Sequence, residues 1–154
     1  MRELATCRFI DQRQGVIITG PPGTGKTHLR GTGPCRLSNT RAIFLFNQLF
    51  QHSELLLEQE NMRRWRKLIS HDLLIIDDFA FRRISQAQSE QLYQLVDTCH
   101  GNTSIILTSN RALPDWLEGF SRCRDWWRYP GSCSRCHNAH QITLKGESIR
   151  KKWD

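Results

Sequence analysis

The chain has 154 residues, of which 38% are hydrophobic and 24% are charged, a composition typical of one globular domain. It contains no run of about eighteen apolar residues, which excludes a transmembrane helix. It also has no apolar segment near its N-terminus, which argues against a secretory signal. We therefore expect a cytoplasmic protein without membrane contact. The net charge of +7 favours a polyanionic partner such as DNA or RNA, although a solvated basic surface with no specific role explains it equally well.

A short β-branched strand, Val16 to Thr19, is the first predicted element, and a glycine-rich turn follows it. Residues Gly20 to Thr27 match the pattern G-x-x-x-x-G-K-[ST] in full. Small residues in such a loop let successive backbone N–H groups surround the β- and γ-phosphates, and the next helix presents its positive N-terminus to the same anion. Lys26 would place a point charge against the phosphate oxygens, and Thr27 would give a hydroxyl to Mg²⁺. The pattern therefore predicts a site for ATP with magnesium rather than a chance glycine-rich turn.

The helix after this loop is predicted to be truncated or distorted, because Gly31, Gly33 and Pro34 arrive almost at once and such residues stop a helix. Arg41 to Phe46 is a candidate second strand. The segment from Asn47 to Ser70 is rich in Leu, Glu, Gln and Arg, which predicts one or two helices.

Trp65 lies within that segment among four basic residues: Arg63, Arg64, Arg66 and Lys67. A basic cluster with an aromatic side chain can grip a nucleic-acid backbone. The alternative, which we slightly prefer, is a solvated helix face with the Trp65 side chain packed inward. Arg82 and Arg83 form a second basic cluster, which has the same two interpretations.

Leu73 to Ile76 is a continuous apolar run that ends in Asp77 and Asp78. Such a run suits a central parallel strand that is covered on both faces. Asp77 would bind Mg²⁺ directly or through water, and Asp78 would orient or deprotonate the attacking water. Exposed carboxylates at a strand end are the alternative, but their position behind a buried strand and downstream of Lys26 favours a Walker B motif.

A well-marked helix is predicted next, beginning near Ser85 and Gln88, which have the spacing of a capping box. Gly101 stands just past its end, where a C-terminal glycine belongs. The apolar positions between these ends recur with a helical period, at Leu92, Leu95, Val96 and Cys99.

Ser104 to Thr108 is another predicted buried strand, and it leads into Ser109 and Asn110. An amide at this point could donate a hydrogen bond to the γ-phosphate or bind the attacking water, although Ser-Asn alone is an ordinary turn signal. Ile142 to Leu144 is a possible last strand.

Strands that alternate with helices predict a parallel α/β sheet. Ligands of such sheets bind at the carboxyl ends of the strands. Three polar turns, Gly20 to Thr27, Asp77 to Asp78 and Ser109 to Asn110, each follow a predicted strand. We therefore expect them to converge on one edge of the sheet.

The chain has six cysteines: Cys7, Cys35, Cys99, Cys123, Cys133 and Cys136. Without an export signal they argue against a disulfide framework. The spacing of Cys133 and Cys136, with His137 and His140 close by and Cys123 as a further ligand, resembles half of a zinc site. The alternative is that these are ordinary free thiols in an irregular segment, and chance half-sites of this kind arise easily.

Three motifs, in order, are Gly20-Pro-Pro-Gly-Thr-Gly-Lys-Thr-His28, Leu73-Leu-Ile-Ile-Asp-Asp-Phe79, and Ile106-Leu-Thr-Ser-Asn-Arg111 followed by Trp116. Together they resemble the IstB-like ATPases, the AAA+ helper proteins of IS21-type insertion sequences, which are similar to the DnaC helicase loaders. The closing segment from Ile142 to Ser148 also resembles that family. The P-loop alone is unspecific, whereas its combination with the other two motifs is considerably more specific.

The resemblance implies an AAA+ P-loop NTPase fold, three layers around a parallel central sheet, and an ATPase that acts on duplex DNA with a transposase. It implies that Lys26, Asp78 and Asn110 are catalytic and that Thr27 and Asp77 bind Mg²⁺. Family members are oligomers with ATP at subunit interfaces and an arginine supplied in trans, so a homo-oligomer is expected. The residues expected to bind ATP are Gly20, Pro21, Pro22, Gly23, Thr24, Gly25, Lys26, Thr27 and His28.

The sequence also departs from the family. The family's N-terminal helical domain precedes the P-loop strand, whereas here that strand starts at Val16, so we expect one domain over residues 1–154 without it. Residues 119–139 lack helical or strand periodicity and are expected to be irregular, and we assign no arginine finger to Arg122 or Arg135. Two alternatives follow: a DnaC-like helicase loader, or a transposon remnant, altered by paired frameshifts, that retains only nucleotide binding.

Overall fold

The computed structural model describes residues 6–32, 41–49, 58–79, 85–99, 101–112, 115–116 and 140–146. All five strands in these ranges match predicted strands to within about two residues at either end, whereas helix α1 has no counterpart among the predictions. None of the helices described there is long and apolar enough to cross a membrane. The elements in chain order are α1 (Arg8–Asp11), β1 (Gly15–Thr19), α2 (Lys26–Thr32), β2 (Arg41–Leu45), α3 (Phe46–Leu49), α4 (Glu58–Ile69), β3 (Leu73–Asp77), α5 (Gln86–Cys99), β4 (Ser104–Ser109) and β5 (His140–Thr143).

The five strands form one sheet in the order β2-β3-β4-β1-β5, and every neighbouring pair is parallel. In this register Thr19 at the end of β1 lies opposite both Ser109 of β4 and Thr143 of β5. Since parallel strands end at the same edge, the three polar turns that follow β1, β3 and β4 lie side by side. The predicted parallel α/β sheet and the predicted convergence of its turns are therefore confirmed.

The sheet has a hydrophobic core on each face, because successive strand side chains point to opposite sides. On one face Ile17 and Leu74 pack in a cluster that includes α4 and α5 side chains, among them Trp65 and Leu95. On the other face the strand residues Val16, Ile18, Ile75 and Ile106 pack with Phe9 and Ile10 of α1. β3 is buried along its whole length, as its continuous apolar run predicts.

Helix α5 begins and ends as its sequence predicts. The backbone N–H of Ser85 donates to Gln88 Oε1 at 3.0 Å, and the backbone N–H of Gln88 donates to Ser85 Oγ at 3.2 Å, which is a complete capping box. Past the last helical residue, Cys99, the chain turns through Gly101, whose φ is +77°.

The other helices bear on two predictions. Helix α2 is described over seven residues, Lys26 to Thr32, and the Gly33 and Pro34 that are predicted to stop it lie outside the described residues, so its truncation stays a prediction. The Trp65 side chain of α4 is fully buried, which settles its orientation in favour of inward packing. Residues 33–40 and the irregular segment predicted at 119–139 lie outside the described residues.

Candidate functional site

The P-loop, Gly20 to Gly25, joins the end of β1 to the first turn of α2. Three of its glycines have positive φ angles, +154° at Gly20, +80° at Gly23 and +88° at Gly25, which residues with a side chain rarely adopt. Thr24 Oγ1 donates a hydrogen bond to the Pro21 carbonyl at 2.8 Å within the loop. Successive turns of this kind let a loop bind an anion through its main-chain N–H groups.

Gly20 is packed tightly between the two strands that flank β1. Its N–H donates to the carbonyl of Ser109 on β4 at 3.2 Å. On the other side, a Cβ placed on Gly20 would lie 2.7 Å from the carbonyl oxygen of Leu144, which follows β5. The N–H of Leu144 in turn donates to the carbonyl of Thr19 at 2.8 Å. The first residue of the P-loop is therefore fixed from both sides, and only glycine fits there.

Lys26 reaches back across this loop from the start of α2. Its Nζ donates to the carbonyl oxygens of Gly20 and Pro21, both at 2.6 Å, and its side chain is buried. Burial lowers the pKa of Lys26, and the negative charges of Asp78 and Asp77 oppose that shift. The ammonium group thus lies close enough to the acidic pair to sense its charge, as the convergence of the two motifs requires.

The two acidic residues after the apolar run have different surroundings. Asp77 is the last residue of β3 and is buried, and its Oδ1 accepts a hydrogen bond from Thr108 Oγ1 of β4. Asp78 is exposed and has a φ of +56°, in the left-handed region that aspartate tolerates better than most residues. The neighbouring strand therefore holds one carboxylate, while the other is accessible to a bound ligand or water.

Asn110 follows β4, which lies between β1 and β3, so this half-buried residue sits between the P-loop and the acidic pair. The next residue, Arg111, is anchored at both backbone groups. Its N–H donates to Ser109 Oγ at 3.1 Å, and its carbonyl accepts from Trp116 Nε1 at 3.3 Å. The Trp116 ring packs on Phe79 with ring centroids 4.6 Å apart, which ties this turn to the one that contains the acidic pair.

Thr27 and His28 lie in the first turn of α2, and both are exposed. The hydroxyl of Thr27 and the carboxylate of Asp77 are hard oxygen donors, the class that Mg²⁺ prefers. Within the described ranges no group of three or more His, Cys, Asp or Glu residues could hold a metal by itself. The donor set therefore fits Mg²⁺ carried by a nucleotide, since that ion usually keeps water and phosphate ligands and takes few from the protein.

The predicted zinc half-site cannot be placed, because Cys123, Cys133, Cys136 and His137 lie outside the described residues. His140, the remaining member, is at the first position of β5, and its Nε2 is hydrogen bonded to Gln14 Oε1 at 2.9 Å. It therefore lies at the amino end of its strand, away from the sheet edge where the three polar turns lie.

The basic cluster of α4 divides into residues with different environments. Arg64 Nη2 donates a hydrogen bond to the carbonyl of Gln48 at 2.9 Å, and Arg64 Cζ lies 6.0 Å from the centroid of the Trp65 ring. The other three side chains, Arg63, Arg66 and Lys67, are exposed, and none of them forms an ion pair with a described acidic residue. Arg82 and Arg83 lie outside the described residues.

Sequence reasoning did not identify the hydroxyl groups of Thr108 and Ser109 as organisers of this edge. Thr108 Oγ1 binds the Asp77 carboxylate, and Ser109 Oγ donates to the carbonyl of Phe79 at 2.7 Å. The only available signal was two consecutive hydroxyl residues at the end of a buried strand. Their partners depend on which strand lies beside β4, and local sequence does not specify that.

The whole chain, residues 1–154, matches the family model described as IstB-like ATP binding protein. It is 31% identical over 157 residues to the insertion sequence IS21 ATP-binding protein of Pseudomonas aeruginosa, which covers 99% of this chain and 58% of that relative. It is 30% identical over 158 residues to the insertion sequence IS5376 ATP-binding protein of Geobacillus stearothermophilus, covering 97% of this chain and 61% of that relative. The chain therefore spans somewhat less than two thirds of the length of these relatives.

Solved structures share the same architecture. The DnaC helicase loader superimposes with a TM-score of 0.65 at 22% identity and covers 94% of this chain and 89% of its own. DnaA bound to AMPPCP and single-stranded DNA superimposes with a TM-score of 0.67 at 22% identity, covering 94% of this chain and 45% of its own. At these identities the likeness shows the fold alone, that of the P-loop NTPases, as predicted. With the family model matched from end to end, the chain belongs to the IstB-like ATP-binding protein family.

Proposed function

We propose that this chain binds ATP with Mg²⁺, hydrolyses it to ADP and phosphate, and uses that cycle to assist DNA transposition together with a transposase. The convergence of the P-loop lysine and the acidic pair at one edge of the sheet carries the proposal. Lys26 donates to two P-loop carbonyls, and its pKa responds to the charges of Asp77 and Asp78. A polyphosphate with a divalent cation is a ligand whose alternating charges match this arrangement.

The first half of the site would bind the nucleotide. The main-chain N–H groups of Gly20 to Gly25 would surround the phosphates, and Lys26 would move its hydrogen bonds from the loop carbonyls to phosphate oxygens. Thr27 and Asp77 would hold Mg²⁺, which when bound neutralises phosphate charge. The hydrogen bond from Thr108 Oγ1 would keep the Asp77 carboxylate oriented for this task.

The second half of the site would act on the water that attacks the γ-phosphate. Asp78 is exposed beside the buried Asp77, so its carboxylate can accept a hydrogen bond from that water, orient it and take its proton. Asn110 would donate a hydrogen bond to the γ-phosphate or hold the same water. Either role of Asn110 requires that its amide keep a fixed separation from the Asp78 carboxylate, because the water attacks the same γ-phosphate.

Duplex DNA is the proposed macromolecular partner. The two relatives described above, which are 31% and 30% identical to this chain, are named as ATP-binding proteins of insertion sequences. Their names support a role in transposition over one in helicase loading. The net charge of +7 and the exposed cations of α4, Arg63, Arg66 and Lys67, suit a phosphate backbone. The resemblance to the family also supports a homo-oligomer that shares ATP between subunits.

Steady-state ATP turnover with and without duplex DNA tests the hydrolase proposal. The wild-type chain is compared with Lys26→Ala, which removes the phosphate-binding ammonium, and with Asp78→Asn, which keeps the side-chain shape but removes the base. Asp97→Asn, the same change at an exposed site on α5, is the matched control. We expect both site variants to lose turnover by at least about a hundredfold and the control to match wild type.

Binding of a fluorescent ATP analogue separates the remaining outcomes. If the wild-type chain hydrolysed ATP no faster than Lys26→Ala but still bound the analogue, the hydrolase proposal would be wrong. That result would support a transposon remnant that keeps only nucleotide binding. Turnover that is stimulated by a replicative helicase and not by a transposase with duplex DNA would favour a helicase loader instead.

A further inference from the structure

Ser109 contacts all three motifs of the nucleotide-binding edge. Its carbonyl oxygen accepts a hydrogen bond from the N–H of Gly20, the first P-loop residue, at 3.2 Å. Its hydroxyl donates to the carbonyl of Phe79, the residue after Asp78, at 2.7 Å. The same hydroxyl accepts from the N–H of Arg111, the residue after Asn110, at 3.1 Å. One buried hydroxyl therefore bridges the turn of the acidic pair and the turn that contains Asn110.

The bond to Phe79 matters because the preceding residue has an unfavourable backbone conformation. The φ of Asp78 is +56°, so neighbouring atoms must hold this turn in place. β4 supplies them on both backbone groups of Phe79. The Phe79 N–H donates to the carbonyl of Thr108 at 2.8 Å, and the Phe79 carbonyl accepts from Ser109 Oγ. Removing the hydroxyl would take away one of these two restraints on the position of Asp78.

We infer that Ser109 is a positioning residue for ATP hydrolysis, whose hydroxyl sets the separation between the Asp78 carboxylate and the Asn110 amide. This inference rests on the proposed hydrolase function. The hydroxyl is hydrogen bonded to the Phe79 carbonyl and the Arg111 N–H, so it would affect hydrolysis by fixing these backbone positions and not by contacting the nucleotide. Asp78 and Asn110 directly precede the two residues, Phe79 and Arg111, that the hydroxyl holds. A displacement of about 1 Å of either one is enough to slow the chemical step by on the order of a hundredfold.

The test compares Ser109→Ala with three other variants of the full chain. Ser109→Cys keeps the buried volume but is a poor hydrogen-bond donor, and Ser109→Thr keeps the hydroxyl. Ser104→Ala is the matched control, because Ser104 is a buried serine of the same strand whose hydroxyl also donates to backbone carbonyls, those of Phe9 at 3.0 Å and Ile10 at 3.3 Å. These contacts lie at the opposite end of β4. The readouts are kcat, KM, the Kd of a fluorescent ATP analogue and the midpoint of thermal unfolding.

We expect Ser109→Ala and Ser109→Cys to lower kcat by about 10- to 100-fold while the Kd of the analogue changes by less than about threefold. Ser109→Thr should recover most of the lost kcat. Ser104→Ala should lower the unfolding midpoint as much as Ser109→Ala does and leave kcat within about twofold of wild type. Should Ser109→Ala fail to fold, the volume-matched Ser109→Cys carries the comparison.

Two results would overturn the inference alone: Ser109 variants with wild-type kcat, or an equal loss of kcat in Ser104→Ala. A wild-type chain that turns over no faster than Lys26→Ala would overturn the hydrolase proposal and this inference together. The wild-type and Lys26→Ala rates therefore separate a failure of the proposed function from a failure of the role of Ser109.

Discussion

Gly20 is the residue at which the sheet and the P-loop constrain each other most tightly. Its φ of +154° alone disfavours a side chain, and a Cβ there would lie 2.7 Å from the Leu144 carbonyl oxygen and 3.0 Å from the Leu144 Cβ. Leu144 follows β5 and its backbone is hydrogen bonded to Thr19, so these atoms cannot move away as the tip of a flexible side chain can. A methyl group at this position must therefore shift β5, the P-loop, or both.

We predict that Gly20→Ala lowers the free energy of unfolding by about 1–3 kcal/mol more than replacing a glycine whose new methyl group would contact no neighbouring atom. Gly146→Ala is the matched control, because Gly146 has a φ of +140° and nothing within 4 Å of the position of its Cβ. Urea unfolding of both variants measures the difference in free energy of unfolding. Equal losses for the two variants would show that the close approach of Leu144 has no energetic consequence.

At the scale of elements, the sequence predicts the helices and strands that have a clear local pattern. It misses features that depend on how the strands pair and on short segments without such a pattern. The run Leu73 to Ile76 identifies a central strand because a strand covered on both faces must be apolar throughout. Helix α1 escapes prediction because its four residues are too few for a periodic pattern and its first turn has no side-chain cap. β5 begins two residues earlier than its apolar residues indicate, since polar residues are tolerated on an edge strand.

The same distinction holds for the candidate site. The P-loop and the acidic pair can be read from sequence, because each is a contiguous motif at the end of a strand. The bridge made by Ser109 cannot, since it exists only when β4 pairs with both β1 and β3. Strand order in a parallel sheet is set by long-range packing, and no local spacing encodes it.

Helix α4 supports a prediction about DNA binding. Its acidic residues, Glu58 and Glu60, lie in the first turn, and the exposed cations Arg63, Arg66 and Lys67 occupy the remainder. Replacing those three cations by glutamine should weaken duplex DNA binding by on the order of tenfold or more and reduce the slope of log affinity against log salt by up to about 3. Fluorescence anisotropy with labelled duplex at several salt concentrations measures both quantities.

Two controls separate a DNA-binding face from a general effect of charge. Arg8→Gln removes an exposed cation from α1 and should change the slope less than any single replacement within α4. Arg64→Gln removes a cation that is hydrogen bonded to the carbonyl of Gln48, so its effect should fall mainly on stability. If Arg8→Gln and the α4 single variants changed the slope equally, the positive charge would be acting without a defined surface.

At the scale of the whole molecule, the proposed nucleotide-binding edge draws on four of the five strands that the structure describes. β1 leads into the P-loop, β3 into the acidic pair, β4 into Asn110, and the residue after β5 packs against Gly20. A ligand that binds this edge must find all four strands correctly paired, so it binds only the folded chain. Ligand binding and global stability should consequently be linked.

We predict that ATP with Mg²⁺ at about one hundred times its Kd stabilises the folded chain by about 2.7 kcal/mol and raises its thermal midpoint by roughly 5–10 °C. Lys26→Ala should lose this shift. Chelating Mg²⁺ should reduce it, because Thr27 and Asp77 would hold an ion that neutralises phosphate charge. Differential scanning fluorimetry with and without chelator measures each case. A shift that persists in Lys26→Ala would mean that the triphosphate binds the basic surface by charge alone, and the P-loop would then no longer explain nucleotide binding by this chain.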